Sequence, residues 1–290
     1  MNAASVRAIL ARHGLAASRD LGQSFLVDDA MAERLVTLSG VGPGDTVIEI
    51  GAGLGTLSVA LAARAARVIA LEIDAGLVRA LRAERVLPAN VELLHADALT
   101  ADLAGLAQGR VRLVANLPYS VASPLLRRLL DLRGELLDWS VMLQREVAER
   151  VTAAPGARAY GSLAVLHALT VEVVRCAELA PGLFYPPPRV RSSFLRITPQ
   201  REPRLAPGEL AGVERVVRAA FSKRRKTLAN ALRGSPLAPS AAMAPGALEA
   251  LLARLAIEPR ARAESLAPER LLALARALMA NDAPGAAPWS

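Results

Sequence analysis

Residues 46–62 read TVIEIGAGLGTLSVALA, and their pattern changes twice. Val47, Ile48 and Ile50 make a short apolar run with the character of a buried strand. Gly51, Gly53 and Gly55 interrupt it, and Leu57, Ala60 and Leu61 follow at helical spacing after Thr56. Strand, glycine turn and helix in that order open an α/β fold, and the turn lets a ligand approach the backbone at the helix start. The spacing is G-x-G-x-G, not the G-x-G-x-x-G of dinucleotide binders. A methionine-derived methyl donor has no pyrophosphate to cradle, so the altered spacing is compatible with one.

The neighbouring strands add acids in the order such a site needs. Val68–Asp74 reads as a second strand, with Glu72 placed to accept both hydroxyls of a ribose. Val91–Leu94 is a third, leading into His95, Ala96 and Asp97, where Asp97 can accept a hydrogen bond from an adenine amine. Taken singly, both acids read equally well as strand-end surface residues. Upstream, Gly22-Gln23-Ser24-Phe25-Leu26 precedes an amphipathic helix carrying Met31, Leu35 and Leu38. The first residues contain Arg7, Arg12 and Arg19 and no acid before Asp20, a pattern shared with transit peptides. The preferred reading is a short structural helix, with Val6, Ile9 and Leu10 on one face and Gly14 as its stop.

Val111–Tyr119 reads VRLVANLPY. Pro118 cannot donate to a sheet ladder, so the strand ends there. Ser123 offers an N-cap and Pro124 a first helical residue before Leu125, Leu126, Leu129 and Leu130. Asn116-Leu117-Pro118-Tyr119 therefore falls in a strand-to-helix loop at the carboxyl edge of an open sheet, where ligands bind. The reading adopted makes it a pocket for one unstacked nucleobase; the plain alternative is a loop with a turn proline. Downstream, Trp139–Val151 reads as strand then helix, Tyr160-Gly161-Ser162 opens another helix, Phe184–Val190 is stiff and extended, and Ser193–Ile197 is the last strand. Composition turns to Pro, Arg and Glu around 200–207, which sets expected domains of 1–199 and 200–290. In the second, Lys223, Arg224, Arg225 and Lys226 are expected within about one helical turn, facing phosphate or water. Leu237–Pro245 is expected to be a loop and Asn281–Ser290 a frayed tail.

Composition narrows the classes. Over half of the 290 residues are hydrophobic, yet charges such as Glu72 and Asp74 interrupt every run of membrane-spanning length. Cys176 is the only cysteine, and His13, His95 and His167 are far apart, so neither a disulfide framework nor a metal site is expected, and a reducing cytoplasm fits. The net charge of +8 favours an anionic partner, nucleic acid before membrane. The only two lysines flank Arg224 and Arg225.

GQSFL, VIEIGAGLGTL, ALEID, HADAL, NLPY, VMLQREVAERV, YGSLAVL, FYPPPRVRSSFLRI and FSKRRKTLANAL occur in that order between Gly22 and about Leu232. On these nine motifs the chain resembles the bacterial small-subunit ribosomal RNA adenine dimethyltransferases, the KsgA/RsmA family. The resemblance implies a Rossmann-like methyltransferase domain, a small all-helical C-terminal domain contacting RNA, and S-adenosylmethionine as donor. It implies dimethylation of the N6 amines of two adjacent adenines in the 3′-terminal hairpin loop of 16S rRNA during small-subunit biogenesis; the chain is expected to act as a monomer, which no motif decides. Ser24, Leu26, Gly51, Gly53, Glu72, Asp97 and Asn116 would line the donor. Asn116, Leu117, Pro118, Tyr119 and Phe184 would hold and activate the base, and Arg189 would join the basic cluster on RNA. Two positions depart from the family pattern: Ser24 stands where Asn is usual, and Arg191 where Asp is usual. The rivals are a large-subunit rRNA methyltransferase of the macrolide-resistance type, a protein-glutamine methyltransferase, and a non-catalytic ribosome-assembly or transcription factor on the same fold. Leu117 and the basic charge argue against the glutamine enzyme.

Overall fold

The computed structural model describes residues 1–18, 21–106, 109, 111–118, 120–206, 208–223, 225–237, 244–258 and 260–282. In chain order the elements are α1 (Ala3–Arg12), β1 (Phe25–Leu26), α2 (Asp29–Ser39), β2 (Thr46–Ile50), α3 (Thr56–Ala62), β3 (Arg67–Glu72), α4 (Ala75–Glu84), β4 (Val91–His95), α5 (Leu103–Leu106), β5 (Val111–Asn116) and α6 (Ala122–Asp131). They continue as β6 (Asp138–Gln144), α7 (Arg145–Thr152), α8 (Ser162–Thr170), β7 (Val171–Leu179), β8 (Phe184–Tyr185), β9 (Ser192–Pro199), α9 (Leu210–Ala220), α10 (Leu228–Arg233), α11 (Ala247–Arg254) and α12 (Pro268–Asp282). The chain divides into two compact units, 1–148 with 172–199, and 149–171 with 200–290.

The first unit is built on a seven-stranded sheet in the order β4-β3-β2-β5-β6-β9-β7. β4, β3, β2, β5 and β6 run parallel, and β9 returns antiparallel to β6. The order runs outward in both directions from β2 and β5, so the chain reverses between them. That reversal leaves a crevice beyond their carboxyl ends. This is a Rossmann-like α/β fold. Val47, Ile48, Val68, Ile69, Leu113 and Val114 are buried, as parallel strands covered on both faces require. At the opposite edge, Arg112 on β5 bonds Asp45 ahead of β2 (2.8 Å) and Asp138 on β6, while Arg196 on β9 bonds the same Asp138 oxygen at 2.6 Å. Four neighbouring strand ends are thus tied through charges that are costly to bury unless paired.

Several local expectations change. α6 starts at Ala122 after Val121, and Ser123 makes no cap, because the turn Val121 N–H to Pro118 C=O already sets the helix going. β7 was not anticipated; it is an edge strand buried only at its two ends and lacks the apolar run that marked the others. Lys223, Arg225 and Lys226 lie in the turn between α9 and α10, not on a helix. Phe221 ends α9, Lys226 N–H bonds Lys223 C=O, and Leu228 N–H is taken by Ala261 C=O, so the helical ladder cannot run through. Arg224 lies outside the described residues, as do 238–243 of the expected loop and 283–290 of the tail. Helix α12 runs through Asn281 and Asp282, where fraying was expected to begin.

The second unit is helical. It takes 149–171 as well as the region after 200, where the sequence reading had put everything to 199 in the first. The reason is packing: α8 lies against α9 and α12. The Tyr160 hydroxyl donates to Leu266 C=O at 2.9 Å, and its ring meets Phe221 edge-on at 5.6 Å.

Candidate active site

A cavity opens where the loops after β2, β3, β4 and β5 converge beyond the reversal of strand order. Gly22–Leu26, the glycine loop, Glu72, Ile73, Ala96–Leu99 and Asn116–Pro118 line it. Of the positions expected from sequence to hold a donor, Ser24, Leu26, Gly51, Gly53, Glu72, Asp97 and Asn116 all lie on this wall.

The glycine loop has its N–H groups turned inward. Those of Gly51 and Ala52 bond Leu71 C=O at 2.8 and 3.1 Å, that of Gly53 bonds Glu72 Oε2 at 2.8 Å, and that of Gly55 bonds Ala52 C=O at 2.8 Å. These donors are spent on the protein, so the loop is not a phosphate cradle. Gly51 has φ +83°, and a Cβ there would stand 3.3 Å from the Asn116 carbonyl oxygen. Only glycine lets the two loops approach this closely.

Glu72 is 6% exposed, and its Oε1 accepts from Asp74 N–H at 2.9 Å. Burial raises its carboxyl above the ordinary range, while the Asp74 and Gly53 N–H groups pull it back. Both oxygens are thereby fixed, each with a lone pair to spare for a hydroxyl. Asp97 is held by the Leu99 N–H on Oδ1 at 2.8 Å. These two acids are the only ionisable groups among the described lining residues, which include no lysine or arginine.

Asn116 ends β5, and its Nδ2 donates to the Ser24 carbonyl at 3.0 Å. The side-chain oxygen is left as an acceptor. Leu117 is buried, with its N–H on Met142 C=O at 3.3 Å, which fixes the following peptide. Pro118 lines the cavity, and Tyr119 lies outside the described residues. The Ser24 hydroxyl donates to Pro186 C=O at 2.9 Å. Arg191 pairs with Glu178 at 3.9 Å.

Phe184 is placed differently from expectation. It is 3% exposed, packs in the core cluster with Leu26, Val114 and Met142, and is absent from the cavity wall. Adjacent strand residues face opposite sides. In the ladder of β8 with β1, where Leu26 pairs with Phe184, the more polar Tyr185 takes the outward side. Sequence reasoning also passed over Ile73, a 45% exposed apolar residue on the cavity wall, and Glu49, fully buried on β2 beneath the glycine loop. Among the described residues no group of three or more His, Cys, Asp or Glu is placed to hold a metal, and no helix is long and apolar enough to cross a membrane.

The model of the ribosomal RNA adenine dimethylase family matches residues 14–278. The chain belongs to this family. Among its relatives, the ribosomal RNA small subunit methyltransferase A of Geobacter metallireducens is 40% identical over 271 residues, covering 92% of this chain and 97% of that protein. Two solved structures share its fold. A dimethyladenosine transferase from Plasmodium falciparum has TM-score 0.73 and 23% identity, covering 89% of this chain and 97% of that one. The 23S rRNA methyltransferase ErmE has TM-score 0.64 and 26% identity, covering 88% and 99%. As a family member the chain is an S-adenosylmethionine-dependent methyltransferase, and the cavity suits that donor. Its charged residues are acids, which favour a sulfonium nucleoside, and its inward glycine N–H groups offer nothing to a phosphate.

Proposed function

We propose that the enzyme dimethylates the N6 amines of two adjacent adenines in the 3′-terminal hairpin loop of 16S rRNA, acting in the cytoplasm as a monomer on immature small ribosomal subunits. The observation that carries this reading is the Asn116 amide, pinned through its nitrogen to the Ser24 carbonyl at the wall of an acid-lined, cation-free cavity. Glu72 would take the donor's ribose hydroxyls, Asp97 its adenine amine, and Leu26, Gly51 and Gly53 the remaining wall.

Bound S-adenosylmethionine supplies a methyl group on cationic sulfur, so the leaving group needs no general acid. What the protein must do is make an aromatic amine nucleophilic. The lone pair of such an amine is delocalised into the ring. In the first transfer the Asn116 oxygen and the Leu117 carbonyl each accept one N6–H bond, which draws the nitrogen toward tetrahedral geometry and frees the lone pair; the nitrogen–methyl bond forms as the sulfur–methyl bond breaks, and one N6 proton then passes to solvent. In the second transfer one N–H remains, so only one of the two oxygens can accept. A neutral amide accepts without placing a second charge beside the donor. Pro118 and Tyr119 hold the extruded base, and catalysis is mostly positioning and preorganised polarity. Phe184, buried behind Leu26, supports this pocket from the core side. Lys223, Arg224, Arg225, Lys226 and Arg189 contact phosphate; of these, Lys223, Arg225, Lys226 and Arg189 are exposed.

Asn116→Ala should lower single-turnover methyl transfer to purified immature small subunits by about 100-fold or more, with donor affinity little changed. Comparable turnover would remove Asn116 from the mechanism. Transfer to large-subunit rRNA instead would favour the rival substrate, and transfer to neither would favour an assembly factor.

A further inference from the structure

A second concavity lies beside the first. Arg7, Leu10, Gln144, Tyr185, Pro188 and Arg189 are on its wall, and Gly22, Gln23 and Ser24 line both cavities. One thickness of backbone separates them. Ser24 connects the two: its carbonyl holds the Asn116 amide, and its hydroxyl holds the Pro186 carbonyl on the wall of the second. The groove is open to solvent and spans about 700 Å³. That lies within the range of sites that take molecules of nucleotide size, roughly 300–1,000 Å³.

Its charge is the reverse of the donor cavity's. The described lining residues include two arginines and no acid. Some arginines of this unit pair with carboxylates, Arg12 with Glu84, Arg112 with Asp45 and Asp138, and Arg191 with Glu178, while others such as Arg128 and Arg133 bond carbonyls. Among the described residues neither Arg7 nor Arg189 has a carboxylate partner. The Arg7 guanidinium instead lies over the Tyr185 ring, 5.7 Å from its centroid. A guanidinium on an aromatic ring, next to the proline run 186–188, is a flat cationic platform of the kind that stacks unpaired bases. Cations without a carboxylate partner among the described residues complement phosphate.

We infer that this groove holds the nucleotide adjoining the target adenine, with its base against the Arg7–Tyr185 layer and its phosphate at Arg189. The inference rests on the RNA-methylating reading above and names a subsite within it. A single-stranded loop would then be gripped at two consecutive positions, one on each side of Ser24. The neighbour, as well as the target, would set the affinity.

The test uses the full-length protein with donor and three RNA hairpins. One is natural, one is abasic at the adjoining nucleotide, and one carries an uncharged methylphosphonate at its phosphate. Binding is followed by fluorescence anisotropy for wild type and for the double variant Arg7→Gln, Arg189→Gln. Each RNA change should weaken wild-type binding by about tenfold, through lost stacking for the abasic hairpin and a lost charge-assisted contact for the methylphosphonate. The double variant should bind the natural hairpin weakly and be indifferent to both changes. Its slope of log affinity against log salt should be shallower by about 0.7, the value for one fewer phosphate contact on a single strand. Unchanged donor affinity reports that the variant is folded. A wild type indifferent to the neighbour, or a penalty that persists in full in the variant, overturns the assignment. So does an acidic peptide whose binding the variant loses while hairpin binding stays intact, since that would give the groove to a protein. Wild type that shows the expected binding pattern but transfers no methyl would sink the proposed activity and leave the nucleotide subsite standing.

Discussion

Glu49→Gln tests the electrostatics beneath the site. Glu49 is wholly inaccessible on β2, and neither carboxylate oxygen has a hydrogen-bond partner among the described residues. Burial pushes its carboxyl from 4.5 up to about 8; the Ser58 hydroxyl beside it opposes the rise and the charge of Glu72 adds to it. Glu49 is therefore largely neutral at pH 7. Below pH 4.5 the group is protonated folded or unfolded, and it contributes no pH dependence. Between 4.5 and about 8 the unfolded chain releases a proton that the folded chain keeps, so stability falls as pH rises, and the loss levels off above about 8. At about 1.4 kcal/mol per pH unit the full penalty is about 5 kcal/mol, a large share of a typical folding free energy. Glutamine does not titrate, and any cost of its buried amide is constant with pH. The readout is therefore the difference in Tm between variant and wild type, not either value alone. Measured by calorimetry from pH 5 to pH 8.5, that difference should move by about 10 °C in favour of the variant. A difference flat across this range would mean that Glu49 is ionised in the folded protein or has a partner, and the reasoning would fail.

Arg112→Met removes the cation shared by Asp45 and Asp138, leaving buried carboxylates with reduced compensation. Unfolding in urea should show a loss of about 3 kcal/mol, and an unmoved midpoint would make the cluster ornamental. Glu72→Gln replaces an acceptor-only group, whose oxygens hold the Gly53 and Asp74 N–H groups, by one that turns a donor toward one of them. Titration calorimetry should show donor affinity about tenfold weaker or worse, and an unchanged Kd would take Glu72 out of the donor site.

That the glycine loop, Glu72 and Asp97 share one cavity wall was legible because their arrangement is local. A glycine loop, an acid at the end of the next strand and a further acid after the third are fixed by sequence distance along consecutive β-α units. What depended on distant pairing was not legible. Phe184 meets Leu26 across a two-residue ladder whose halves are far apart in the chain, and no local pattern says that it faces the core while Tyr185 faces out. The same holds for 149–171, which joins the second unit because α8 packs on helices formed by much later residues. Lys223–Lys226 misled for a different reason. The residues favour helix individually, and the turn is imposed by a carbonyl from Ala261. Arg7 gave no signal in sequence, since an exposed arginine on a short helix is ordinary until an aromatic ring is seen beneath it.

The bond from Asn116 ends on a main-chain oxygen, not on a side chain. Position 24 can therefore change identity without disturbing the amide it steadies, provided the path of the chain is kept. This offers a physical account of how the amide is held in place with serine at position 24. It also predicts where tolerance ends: an insertion or a proline that shifts the 24th carbonyl would disarm the enzyme, although every residue that touches a substrate remained in place.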